Sequence, residues 1–251
     1  MRRTLPAFGT KIVIMEVKKN FPRGAEMLVR YWMSESPIVA LEKTTLYDAL
    51  NLMLRHDIRR LPVMSGDNKL CGIITLSDLY PYVNPVKLKE ELSPPDIENL
   101  KKHAVGEVMT REPVTCGPNT ALEDVGALLR EKKIGALPVL KEDHLVGIIT
   151  DCDVLEALCG IARAGDNNVR ICFSVPAGEK QNIIYDVVEL CKRYRLDLQT
   201  VLVHPLKGSK RCLVMIRVEG PRMDDFLKAL WDINYQVLIV SDGTDKGRAR
   251  R

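Results

Sequence analysis

Three short stretches of this chain occur twice, in the same order and at nearly the same spacing. Met33-Ser-Glu-Ser-Pro37 returns 76 residues on as Met109-Thr-Arg-Glu-Pro113, and Leu61-Pro62-Val63 returns at the same offset as Leu137-Pro138-Val139. Gly72-Ile-Ile-Thr75-Leu-Ser-Asp78 then returns 75 residues on as Gly147-Ile-Ile-Thr150-Asp-Cys-Asp153, one residue having been lost in the Ser65 to Leu70 turn, where loss is easiest. Self-similarity of this kind means one structural unit built twice.

Each copy reads as strand, helix, strand, strand, helix. Ile38 to Leu41 is expected to be a short strand. Thr44 or Thr45 then caps a helix whose apolar positions Leu46, Ala49, Leu50, Met53 and Leu54 share one face. In the second copy Thr120 and Glu123 have capping-box spacing ahead of Leu122, Val125 and Leu129. Leu61–Met64 and Leu70–Thr75 flank a polar turn and read as a hairpin, repeated around Lys141 to Asp143. A sheet this small with helices on one face cannot bury its apolar surface alone, so the two units are expected to pack about a pseudo-twofold axis in an α/β (α+β) fold.

The Met-x-x-x-Pro start, the Leu-Pro-Val strand and the Gly-Ile-Ile-Thr-x-x-Asp end, present in both copies, resemble the cystathionine-β-synthase (CBS) domain pair, or Bateman module. The resemblance covers residues 27–160, with 27–80 as the first repeat, 81–104 as a proline-broken helical linker and 105–160 as the second repeat. Lys87 to Leu92 of that linker are expected beside the cleft. The resemblance implies that an adenine nucleotide (AMP, ADP or ATP) or S-adenosylmethionine binds between the repeats as a regulatory ligand.

Thr75 and Thr150 stand where a strand meets a helix, with Asp78 and Asp153 three residues on. This is the spacing of an ordinary N-terminal cap. It also suits a ligand, since a carboxylate accepts hydrogen bonds from both hydroxyls of a ribose. The resemblance assigns these positions to ribose and nearby phosphate. It assigns Ile38 and Val39, with Val114 and Thr115, to the adenine-contacting strands, positions that core packing alone also explains. The position before Leu-Pro-Val, often turned to phosphate in the family, is Arg60 in one copy and Ala136 in the other, so the two sites are expected to differ. His56, Arg59 and Arg60 form a basic patch suited to phosphate, or a solvated loop.

Beyond a polar break at Ala164 to Asn168, residues 168–241 read as strand, helix, strand, strand, helix, strand, with helical apolar positions Ile183, Val187, Leu190 and Cys191, then Met223, Phe226, Leu227, Leu230 and Trp231. That is the order of a ferredoxin-like sandwich, and here it resembles the ACT domain, a small-ligand module that commonly dimerises. Amino-acid-binding members carry a Gly-containing turn before the first helix, here Gly178, and a Gly before the second strand, where this chain has Arg195-Leu196. The departure favours dimerisation or scaffolding over amino-acid binding. A CBS pair followed by such a module resembles the acetoin-utilisation regulatory protein family from residue 27 to about 241, without making acetoin the signal.

A net charge of +4 from 37 basic and 33 acidic residues does not point to nucleic acid. The seven cysteines are scattered and lack the spacing of a zinc knuckle or redox motif, so buried free thiols in a reducing cytoplasm are expected, with no metal. No signal-peptide core or membrane span develops. Residues 1–26 read as an arm and 242–251 as a basic, solvated tail. The chain carries no Gly-x-Ser-x-Gly elbow, His-Glu-x-x-His or Walker loop, and its four histidines are far apart. A non-catalytic homodimeric sensor acting on an enzyme or transcription factor is the expectation, with a structural module whose clefts hold nothing as the alternative.

Overall fold

The computed structural model describes residues 27–83, 92–162, 168–176, 180–232 and 235–241. The arm 1–26, most of the Lys87 to Leu92 stretch, the Gly178 turn and the tail 242–251 lie outside the described residues. The chain divides into two compact units, Met1–Asp151 and Cys152–Arg251.

In the first repeat, strands β1 (Ser34–Glu35) and β2 (Ala40–Leu41) precede helix α1 (Leu46–Arg55), and strands β3 (Arg60–Met64) and β4 (Leu70–Thr75) form the hairpin. Thr45 caps α1, its hydroxyl accepting from the Asp48 N–H at 3.1 Å. Leu46, Ala49, Leu50 and Met53 of α1 are buried against Leu61, Val63 and Ile74 of the hairpin. The repeat closes on a 3-10 turn, Leu76–Leu79. Helix α2 (Pro94–Lys102) follows, with prolines in its first turn where the missing N–H costs nothing, and it buries Leu100 in the same core. Helix α3 (Val105–Val108), strand β5 (Thr110–Arg111), helix α4 (Leu122–Lys132) and the hairpin of strands β6 (Ala136–Lys141) and β7 (His144–Thr150) repeat the pattern, and helix α5 (Asp151–Ile161) succeeds it.

The repeats exchange their opening strands. β1 pairs with β7 of the other copy, Ser34 opposite Ile148, and β5 pairs with β4, Thr110 opposite Ile73. Just before each strand, Met33 and Met109 lie on Gly147 and Gly72: a Cβ on Gly147 would sit 2.7 Å from the Met33 sulfur and 3.0 Å from the Ser34 carbonyl oxygen, and one on Gly72 would sit 3.0 Å from the Thr110 carbonyl oxygen. The glycine of each end motif thus admits the methionine of the other copy's start motif.

The same exchange corrects the expected capping box. α4 begins one residue later than Thr120 requires, and its first N–H, on Leu122, donates to the Met27 carbonyl of the first repeat at 2.8 Å. Thr120 Oγ1 instead accepts from the Gly117 N–H at 3.1 Å. Reciprocally, the Leu46 N–H of α1 donates to the His103 carbonyl at 3.0 Å. An otherwise orphan helix-start donor of each copy is thus satisfied from outside that copy, by the first repeat's Met27 for α4 and by His103 at the end of the linker for α1.

Three further expectations are corrected. The strand expected over Ile38 to Leu41 is confined to Ala40–Leu41, parallel to β3, and its counterpart in the second copy is a single bridge from Cys116 to Val139. Ile38, Val39, Val114 and Thr115 lie outside any strand, since Pro37 and Pro113 supply no N–H and pairing begins only beyond them. The closing helix of the first repeat stops as a 3-10 turn before Pro81, which has no N–H to continue the helical hydrogen bonds, whereas α5 meets no proline. Not all cysteines are buried: Cys152 and Cys159 are exposed, while burial pushes the Cys116 and Cys191 thiols up to about 11.

In the second unit, strands β8 (Val169–Pro176), β9 (Asp197–Pro205), β10 (Arg211–Glu219) and β11 (Gln236–Ser241) form an antiparallel sheet in the order β11-β8-β10-β9. Helix α6 (Lys180–Tyr194) and helix α7 (Met223–Asp232) complete the ferredoxin-like βαββαβ order. Phe173, Ile183, Val187, Val214, Ile216, Phe226 and Leu230 fill its core, whereas Trp231, expected on the apolar stripe, is 63% exposed. Arg195 takes the left-handed conformation, φ 56°, at the end of α6, and the Leu196 N–H closes on the Cys191 carbonyl at 2.9 Å. The backbone thus adopts at Arg195 the geometry for which a glycine is the less strained choice.

Gly72→Ala and Gly147→Ala are each expected to cost about 1–3 kcal/mol through overpacking against the crossing strand. Gly66→Ala, whose Cβ would meet nothing within 4 Å, should stay within about 0.5 kcal/mol of wild type. Urea unfolding midpoints check this, and equal shifts at all three positions would contradict the strand-crossing account.

Candidate functional site

The exchange of β5 onto β4 leaves a cleft of about 800 Å³ between the two repeats. Thr75 and Ser77 at the end of β4, and Arg59 and Arg60 at the start of β3, come from the first repeat; Val114, Lys133 and Ala136 come from the second. Leu54, Ile73, Tyr80, Pro113 and Ile134 supply an apolar lining. Leu54 and Tyr80 are 49% and 44% exposed, so these large apolar side chains face the open cleft instead of the core. A concave, mainly apolar slot with a few convergent polar groups is the usual form of a small-molecule site.

The sequence-derived site residues separate into groups. Arg60, Thr75, Val114 and Ala136 meet on the wall of this one cleft, whereas Thr115, next to Val114, is not on it. Asp78 stands behind Thr75: its Oδ2 accepts from the Thr75 N–H at 2.7 Å and from the Thr75 hydroxyl at 2.8 Å. The pair therefore forms a real cap on the 3-10 turn, and Oδ1 has no hydrogen-bond partner among the described residues. Ile38 packs on the first repeat's core, and Val39 lines a separate, smaller cleft of about 220 Å³ with Pro37, Met64 and His144. Thr150 ends β7, and Asp153 lies in the first turn of α5.

Charge is unevenly distributed around the cleft. Arg60 lies across Gly135, where any side chain would collide with its guanidinium, and its Nη1 is 3.8 Å from Asp151 Oδ1. At that distance and with the aspartate half exposed, the pair holds Arg60 only weakly. Arg59 and Lys133 have no ion-pair partner among the described residues, and Glu112 is the one carboxylate on the wall among them. His56, counted in the expected basic patch, is not on the wall. Leu54, Tyr80, Glu112, Pro113 and Ile134 were not among the site residues expected from the sequence, although Leu54 was placed on the apolar stripe of α1 and Pro113 in the repeated start motif. Leu54 continues the buried stripe of α1 in periodicity, and nothing in the pattern distinguishes the one position that turns outward. Among the described residues no cluster of His, Cys, Asp or Glu could hold a metal ion, and no helix is long and apolar enough to cross a membrane.

A unit of strand, helix and hairpin, duplicated with strand exchange and bearing a cleft between its copies, defines a tandem-repeat module. The CBS domain family matches residues 29–84 and 105–160. A CBS domain-containing protein of Dictyostelium discoideum is 35% identical over 134 residues, covering 53% of this chain and 92% of that one. An uncharacterized protein of Methanocaldococcus jannaschii is 32% identical over 159 residues, covering 54% of this chain and 93% of that one. Among solved structures, CBSX2 in complex with AMP is 30% identical, with 54% of this chain and 98% of that one covered at a TM-score of 0.45. The chain belongs to the CBS domain-containing proteins.

Because Asp78 caps the turn, Asp78→Ala should destabilise the first unit by about 1 kcal/mol even without ligand, and Asp78→Asn by less. Chemical denaturation of the ligand-free protein measures this, and an unchanged midpoint for Asp78→Ala would contradict the cap.

Proposed function

We propose that this chain is a non-catalytic regulatory sensor that binds an adenine nucleotide or another adenosyl ligand between its CBS repeats. Occupancy passes to a partner, such as an enzyme or transcription factor, or to the C-terminal unit. The observation that carries the reading is the cleft itself: a mainly apolar slot of about 800 Å³ with Thr75, which Asp78 holds from behind, and the cations Arg59, Arg60 and Lys133 on its wall.

In this reading the base enters between Val114, Pro113 and the apolar lining, where main-chain groups near Val114 read its edge. The ribose reaches the Asp78 Oδ1 and the Thr75 hydroxyl, which accept and share its hydroxyl protons. Any phosphate is met by the basic side chains, whose hydrogen bonds to anions are the stronger, charge-assisted kind. By the register of the repeats, Thr150 and Ile38 are the corresponding contacts of a second ligand. Ligand seated on both repeats biases their mutual tilt to the extent that its affinity differs between the two arrangements. The C-terminal βαββαβ unit is read as an ACT-like module serving homodimerisation, and the cytoplasm as the place of action. A purely structural module draws support from one fact: Thr75 and Asp78 already satisfy each other as a cap.

A thermal-shift panel of AMP, ADP, ATP and S-adenosylmethionine separates the two readings, because a ligand that binds only the native state stabilises it by mass action. At about a hundredfold excess over Kd the gain is about 2.7 kcal/mol, a rise of several degrees for a unit of this size. The rise should vanish in Asp78→Ala. No rise with any adenosyl compound at millimolar concentration favours the structural module.

A further inference from the structure

In the C-terminal unit, Ile171, Phe173, Val214 and Ile216 of the sheet share a core with the apolar positions of α6 and α7. Side chains alternate along a strand, so Arg170 of β8, Arg217 of β10 and Thr200 of β9 belong to the face away from those helices. The register sets them in one row: Ser241 of β11 is opposite Arg170, Arg170 is opposite Arg217, and Arg217 is opposite Thr200. Two arginines thus stand side by side, their Cβ atoms about 5 Å apart, between two hydroxyl-bearing residues.

Like charges directly opposite one another weaken a sheet. No carboxylate relieves this pair: among the described residues the ion pairs of this unit are Arg193 with Glu189 and Arg222 with Asp225, in or beside the helices. Asp197 and Glu219 face each other nearby, at the ends of β9 and β10, and Glu219 reaches Arg217 only through two amides. Arg217 Nη1 donates to Asn168 Oδ1 at 2.7 Å, Asn168 Nδ2 to Gln199 Oε1 at 3.0 Å, and Gln199 Nε2 to Glu219 Oε2 at 2.8 Å. Gln199 can bridge in this way because the register slips beside it, between Arg217 and Val218. Asn168 is 2% exposed, so the amides form a fixed support behind Arg217, and Arg217 Nε is enclosed with no acceptor. A guanidinium held in place with donors to spare, beside a second of like charge, is an arrangement that an arriving oxyanion relieves.

The next row on the same face is apolar: Cys172, Met215 and Leu202 lie opposite one another, Leu202 being 44% exposed. The end of α5 bounds the arginine row on the β9 side, where the Thr200 hydroxyl donates to the Ile161 carbonyl at 3.3 Å.

We propose that Arg170 and Arg217 form a binding site for a small organic acid, its carboxylate held between the two guanidiniums and its short apolar body lying on Met215 and Leu202. The site belongs to the C-terminal unit and does not rest on the adenosyl reading above. An apolar row beside the arginines suits an acid with a hydrocarbon body and gives nothing to a free phosphate.

NMR titration of the full chain with isovalerate, with isovaleramide as its uncharged counterpart and with inorganic phosphate tests this through the arginine Nε–H signals. Isovalerate should move the signals of Arg170 and Arg217 and bind about tenfold or more tighter than either control, its advantage over the amide shrinking at high salt. Arg170→Gln should weaken isovalerate by about tenfold. It should leave the melting temperature of the ligand-free protein at or above that of wild type, because it removes a like charge and no ion pair. Arg217→Lys, which keeps the charge and loses the planar fork, should weaken isovalerate as well. Isovaleramide or phosphate binding as tightly as isovalerate, no shift with isovalerate at tens of millimolar, or a lowered melting temperature in Arg170→Gln each overturns the site.

Discussion

The crossing of each repeat's opening strand onto the other's hairpin is the contact on which the first unit depends. A three-residue motif separation of Thr and Asp, or an apolar stripe on α1, would form a local element in many chains. Here the two small sheets are completed only by strands from the opposite copy, through glycines that leave room for a methionine and a carbonyl. The helix starts are completed the same way, Leu122 on Met27 and Leu46 on His103. Neither repeat satisfies its own backbone alone, and unsatisfied buried donors and acceptors are costly.

The candidate site is a by-product of that crossing. Bringing β5 beside β4 sets Val114 and Pro113 of one repeat against Thr75 and Arg60 of the other, so the cleft is composite. A ligand lying in it touches both repeats, which is the physical condition for its binding energy to bias their arrangement. The same symmetry makes differences between the copies informative: the backbone is held in common, so Arg60 against Ala136 is a difference of chemistry on one geometry.

Much of the architecture was legible in the residues. The duplicated landmarks set the repeat and its hairpins, and the apolar stripes of α6 and α7 between strand-like segments set the βαββαβ order. What escaped was whatever depends on a partner element distant in sequence. Thr120 and Glu123 have capping-box spacing, yet Met27 takes the Leu122 N–H, an interaction that local pattern does not encode. Leu54 fits the apolar periodicity of α1 and still faces the cleft, as Trp231 fits that of α7 and is exposed. Of the ten site residues named from the sequence, Arg60, Thr75, Val114 and Ala136 share one wall and Asp78 braces Thr75. Ile38 and Val39 do not join them, because sequence order within a copy does not reveal which copy completes the cleft.

The most direct measurement is a crystal structure of the full chain grown in saturating ATP. The account requires the purine between Pro113, Val114 and the apolar lining, the ribose on Asp78 and Thr75, and the phosphates toward Arg59, Arg60 and Lys133. A cleft closed by repacked Leu54 and Tyr80, with no nucleotide in it under those conditions, would contradict it.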